Sequence, residues 1–110
     1  MTTPTANAPA TQARATLLVI YTPALQSCRE FYSALGIQFV PEQHGQGPLH
    51  YAAVMPDGMV LELYPATARR PVSTLRLGLA VAGAELDPPL PAGHHVLRDP
   101  DGRVVEVHAC

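Results

Sequence analysis

Two stretches of this chain repeat one another: Pro56-Asp57-Gly58-Met59-Val60-Leu61-Glu62-Leu63-Tyr64 and Pro100-Asp101-Gly102-Arg103-Val104-Val105-Glu106-Val107-His108. In each, the Asp-Gly step supplies the positive φ that a tight turn needs, and the run after it alternates apolar and polar positions. Each copy therefore reads as a turn feeding a β-strand with a glutamate at its middle. This duplication constrains the fold more than composition does. It asks for two related units, and it sets Glu62 and Glu106 at equivalent positions, from which two carboxylates can face one another across a pseudo-two-fold axis.

The chain has 110 residues, 47% of them hydrophobic, enough for one domain with a modest core. A formal net charge of −2 does not steer it toward nucleic acid or anionic lipid. Its longest apolar runs are strand-sized, well below the roughly 20 residues of a membrane-spanning helix. Residues 1–14 are rich in Thr, Ala and Pro without a basic start or apolar middle, and are expected to form a flexible tail rather than a secretory leader. Two cysteines, Cys28 and Cys110, exclude a disulfide scaffold or a cysteine-rich zinc site and fit a reduced cytoplasmic setting. Twelve prolines and eight glycines favour short strands joined by turns.

Along the chain, Thr16 to Tyr21 reads as a buried strand. Thr22-Pro23 then reads as an N-cap with proline at the first helical position, and Leu25, Cys28, Phe31, Tyr32 and Leu35 recur at helical spacing up to Gly36. Strands follow at Ile37 to Pro41, Leu49 to Met55 and Met59 to Tyr64. The run Thr74 to Ala82 starts the pattern again, but Pro88, Pro89 and Pro91 forbid a full helix after it, since each interior proline costs about 3 kcal/mol. The chain goes almost directly to a last hairpin, roughly His94 to Arg98 and Arg103 to His108. The expected class is α+β: two βαβββ-type modules, about 15–65 and 74–110, the second shortened, forming a curved mixed sheet around a cleft within a single domain at 15–110.

At this point the chain resembles the vicinal oxygen chelate superfamily of glyoxalases, bleomycin-resistance proteins, fosfomycin-resistance enzymes and extradiol dioxygenases. The residues carrying the likeness are Phe31-Tyr32-Ser33-Ala34-Leu35-Gly36, Leu61-Glu62-Leu63, and Asp99-Pro100-Asp101-Gly102 leading to Glu106. The resemblance implies a cleft holding a divalent metal or a ligand, with metal-binding side chains on the first and last strand of each module. The last-strand positions fall on Glu62 and Glu106, both acceptable oxygen ligands. The first-strand positions fall on Leu17 (or Leu18 one residue on) and on Arg76, and neither a leucine nor a guanidinium has a lone pair to give.

At about 4 Å and an effective dielectric of about 20, two unit charges interact by roughly 4 kcal/mol. A divalent ion beside Arg76 would meet repulsion of about twice that, whereas the two glutamates would be well served by Arg76 as counter-charge. The expectation is thus an Arg76 link to Glu62, Glu106 or both in the space a metal fills in relatives, with no cofactor. A divalent metal, where one binds, would take Glu62 and Glu106. Glu62, Glu106 and Arg76 are the candidate catalytic residues, and Tyr21, His50, Tyr64 and His108 the candidate substrate-binding ones. His50 has a second reading as an ordinary strand-end residue, and Glu106, His108 and Cys110 share a strand face at a chain end prone to fray.

The truncated second module is expected to leave Leu77, Leu79, Val105 and Val107 without a covering helix. Exposing such side chains forgoes roughly 1.5 to 3 kcal/mol apiece, so a homodimer is expected. Three functional readings stand. One is a small-molecule-binding protein of the glyoxalase and bleomycin-resistance type working without the usual metal. Another is a lyase or dioxygenase using Glu62, Glu106 and a recruited histidine such as His50. The last is an interaction module with a vestigial cleft.

Overall fold

The computed structural model describes residues 9–110. Of the tail expected at 1–14, residues 1–8 lie outside the described residues, and residues 9–14 are exposed and form neither helix nor strand. The first module runs β1 (Leu17–Thr22), α1 (Leu25–Ala34), β2 (Val40–Glu42), β3 (His50–Val54) and β4 (Val60–Pro65). Its sheet has the order β1-β4-β3-β2, with β1 parallel to β4 and the other pairs antiparallel. The second module keeps β5 (Leu77–Val81), β6 (Gly93–Arg98) and β7 (Val104–Ala109) in the order β5-β7-β6. Here β5 is parallel to β7, as β1 is to β4. The fold is therefore α+β with a shortened second module, and a single 3-10 turn at Gly83–Glu85 stands where a crossover helix would be.

Both Pro-Asp-Gly turns form as the repeat requires. Gly58 has φ +93° and Gly102 +86°, and each donates its N–H across the turn, to Met55 O and Asp99 O respectively, at 2.8 Å. Boundaries shift elsewhere. The helix N-cap is Ala24 rather than Thr22: the Thr22 hydroxyl accepts the Ala24 N–H at 2.9 Å in a turn, and helical bonding begins two residues later than expected. The strand expected at Ile37 to Pro41 forms at Val40–Glu42, since Ile37 bonds back to the helix through Tyr32 O.

The expectation of an uncovered second sheet is corrected. Val105 and Val107 are fully buried and Leu79 is 9% exposed, in one core cluster that also holds Ile20, Leu61 and Leu63 of the first sheet, Cys28 and Tyr32 of α1, and Leu35 just after it. Leu86 and Leu90 of the proline-rich connector and Leu77 pack against that cluster. The connector thus supplies apolar cover without helical structure, and a partner chain is not required for it.

The two modules are clasped at the second hairpin. Arg103, buried, bonds Asp99 at 2.7 Å and Asp101 at 3.0 Å, and donates to Ser73 O at 2.8 Å and Tyr21 O at 2.7 Å. Tyr32 of α1 donates its hydroxyl to Asp99 at 2.6 Å. Burial by itself would raise the Asp99 carboxyl; the hydrogen bonds from Tyr32 and Arg103 outweigh it and hold the group below the usual carboxylate range. Burial pushes the neighbouring Cys28 thiol up, which makes it an inert core side chain. No helix among the described residues is long and apolar enough to cross a membrane.

Candidate functional site

Strand alternation sorts each sheet into a core face and an opposite face. On β4, Leu61 and Leu63 enter the core while Glu62 and Tyr64 point the other way. On β7, Val105 and Val107 enter the core while Glu106 and His108 point the other way. The registers give each glutamate the same surroundings. Glu62 pairs with Ala52 and Val19, and Glu106 with Val96 and Gly78. Two residues upstream along the first strand of each module, Leu17 is then the counterpart of Arg76, which resolves the one-residue ambiguity in favour of Leu17 over Leu18.

On the second sheet, Arg76 donates Nε to Glu106 Oε2 at 2.6 Å, with an Nη at 2.5 Å from the same oxygen. His94 Nε2 lies 3.2 Å from the other oxygen, Oε1. The Arg76 hydrogen bond, helped by its charge and by His94, holds the Glu106 carboxyl below its ordinary range against the opposing effect of burial. His94 packs on His108 with ring centroids 4.7 Å apart. Cys110, on the same strand face as Glu106 and His108 by alternation, turns its Sγ to Val81 O at 3.4 Å.

On the first sheet, Glu62 is mostly buried and has no bond to Arg76 among the described residues; its neighbour is His50, Nε2 to Oε2 at 3.6 Å. His50 is 1% exposed and stacks on Tyr64 with centroids 4.0 Å apart and planes 12° from parallel. Tyr21 lies beyond, 6.0 Å from Tyr64. Burial, then Glu62, Tyr21 and Glu42, pushes the Tyr64 phenol upward. The expected residues thus assemble in two clusters: Glu62 with His50, Tyr64 and Tyr21, and Glu106 with Arg76 and the His94–His108 pair.

Sequence reasoning missed two participants. His94 is the counterpart of His50, each on the strand before its glutamate; the repeat extends back to them at one constant offset, a signal present in the chain. Glu42 was not singled out, because only the β2–β3 register, Glu42 opposite His50, brings it to the site. Glu42, His44 and His50 form a group whose ligand atoms lie within 4.8 Å of one another, so residues able to hold a divalent ion do exist, although in a different place from the expected Glu62 and Glu106 pair.

No protein-family model matches the sequence, and no curated protein matches it. Solved structures match the fold. TnmS3, an antibiotic-binding protein from Streptomyces sp. CB03234, superposes with a TM-score of 0.63 at 18% identity, over 92% of this chain and 98% of that one. A glyoxalase/dioxygenase from Nostoc punctiforme gives 0.59 at 17% identity over 98% of each chain. A lactoylglutathione lyase from Agrobacterium tumefaciens gives 0.55 at 18% identity, over 90% of this chain and 95% of its own. These likenesses show the fold, which is the one the sequence resemblance implies. The residues at the metal position that the sequence resemblance implies do not fit a metal: Leu17 offers no donor, and Arg76 already neutralises Glu106.

Proposed function

We propose that this protein binds a small molecule between the faces carrying Glu62 and Glu106, with Arg76 receiving an anionic group of the ligand and no metal bridging the two glutamates. The observation that carries this reading is the Arg76–Glu106 pair. Nε and one Nη are spent on a single carboxylate oxygen, the side chain is 58% exposed, and the planar guanidinium keeps further N–H donors for a second anion. The apolar side chains exposed on these same two faces, Leu17, Val40 and Val54 on the first and Val96 on the second, suit an amphipathic ligand. Tyr21, His50, Tyr64 and His108 would form its walls.

A homodimer belongs to this proposal, with a second copy covering part of those exposed side chains. A cytoplasmic setting goes with it, since Cys28 and Cys110 are free thiols. The test is titration of the EDTA-treated protein with a panel of aromatic carboxylates, read by calorimetry. Arg76→Ala is expected to weaken the best binder by at least tenfold, about 1.4 kcal/mol. Equal affinity in that variant would end the proposal.

A second reading, a metal-dependent lyase or dioxygenase using Glu62, Glu106 and His50, draws on the closeness of His50 to Glu62. It requires one ion bound by both glutamates, and loss of that ion in Glu106→Gln is its distinguishing outcome.

A further inference from the structure

The two modules share a His–Glu pair but differ in what balances its charge. In the second, the carboxylate of Glu106 has Arg76. In the first, the counterpart of Arg76 is Leu17, and two carboxylates, Glu42 and Glu62, approach a single histidine, His50. Among the described residues no arginine pairs with either of them, and the chain contains no lysine. The first module therefore gathers two negative charges with no fixed positive one.

The orientation of His50 sharpens the point. Its Nδ1 lies 3.2 Å from Pro48 O, which can only accept, so Nδ1 carries the hydrogen. Nε2 is left facing Glu42 Oε1 at 3.3 Å and Glu62 Oε2 at 3.6 Å. His44 Nε2 comes to the same Glu42 oxygen at 3.5 Å. A proton on Nε2 could make one long hydrogen bond, to Glu42 Oε1 at 3.3 Å, and would leave Glu62 at 3.6 Å and His44 unserved, whereas charge-assisted N–H···O bonds close to about 2.7–2.9 Å. The Arg76–Glu106 contact shows that this fold closes to such distances where a cation is built in.

The ligand atoms of Glu42, His44 and His50 all lie within 4.8 Å of one another, and both imidazole nitrogens stand 3.3 and 3.5 Å from one Glu42 oxygen, the spacing of ligands of one ion. Tetrahedral ligands at about 2.0–2.1 Å from zinc stand about 3.3–3.4 Å apart. A ligating histidine that donates its other N–H to a backbone carbonyl is the usual second-sphere arrangement. We infer that Glu42, His44 and His50 form a divalent transition-metal site of zinc-like size within the first module, with two imidazole nitrogens and one carboxylate oxygen as ligands, a water in the fourth position, and Glu62, 3.6 Å from His50 Nε2, as a second negative charge beside the ion. It uses neither Arg76 nor Glu106, and it stands independently of the small-molecule reading.

The experiment loads EDTA-treated full-length protein with Co²⁺, followed by its visible d–d absorption, and then displaces Co²⁺ with Zn²⁺, followed by calorimetry. One equivalent per chain with the intense bands of a tetrahedral N/O site is expected. His44→Ala and Glu42→Gln, both at partly or largely exposed positions that leave the core intact, should each weaken binding by more than about tenfold, the loss typical of a second-sphere partner alone. His50→Ala should abolish it, with far-UV circular dichroism reporting whether that variant folds. Cys110→Ser should bind as the parent does. Absence of one-equivalent binding, or binding unchanged in both Glu42→Gln and His44→Ala, overturns the inference. Neither result bears on carboxylate binding by the EDTA-treated protein.

Discussion

Asp99 and Arg103 occupy the positions that Met55 and Met59 hold in the first hairpin, in the same chain order. The same turn thus carries an apolar pair in one module and a buried ion pair in the other. Removing one partner strands the other charge away from water. Asp99→Asn is expected to cost about 3–5 kcal/mol, against about 0.5 kcal/mol or less for Asp57→Asn at the exposed turn, as read from urea denaturation midpoints. Asp99 and Glu106 also set an acid limb. Both carboxyls are held below their ordinary values in the folded state, so on acidification the unfolded chain takes up those protons first. Their contribution is complete above about pH 5 and is lost as pH falls through their depressed folded values. Denaturation midpoints between about pH 2.5 and 6 should therefore fall steeply below pH 4, and Glu106→Gln should make that limb shallower.

At the scale of elements, the connector after β5 shows how a module survives without its helix. Gly83 is buried there, and a Cβ on it would stand 2.2 Å from Leu90 O and 3.0 Å from the Ala109 Cβ. The backbone of the connector closes directly over this glycine, through Leu90 N–H to Gly83 O at 2.9 Å. Gly83→Ala is expected to destabilise by about 1–3 kcal/mol through overpacking. Gly78, with nothing within 4 Å of an added Cβ, should accept alanine with little change. Thermal unfolding of the two variants side by side checks both. The strands, the two turns and the absence of a second helix were legible, because alternation, Asp-Gly steps and proline are local signals. That Leu86 and Leu90 seal the second sheet was not, since nothing local tells an irregular segment which face it covers.

For the whole molecule, the consequence is that the second sheet needs no partner to bury its apolar face. The argument for a dimer moves to the opposite faces. There Val54 is 75%, Val96 61%, Val40 56% and Leu17 55% exposed, and all four flank the two glutamates. Light scattering is expected to give twice the chain mass, and Val54→Asp combined with Val96→Asp to return it to that of one chain. A parent protein that stays at one chain mass over a wide concentration range would remove the second copy and leave a ligand as the cover for those side chains.

The order of strands, the shortened second unit and the equivalence of Glu62 with Glu106 follow from the chain alone, because each is written in a turn signal or an alternation a few residues long. The partners of those glutamates do not. Arg76 could have served either one, and the β5–β7 register assigns it to Glu106. Glu42 comes within reach of His50 only because β2 pairs with β3 across a loop of irregular backbone. Long-range pairing decides which charges meet, and so where this protein has a guanidinium and where it has room for an ion.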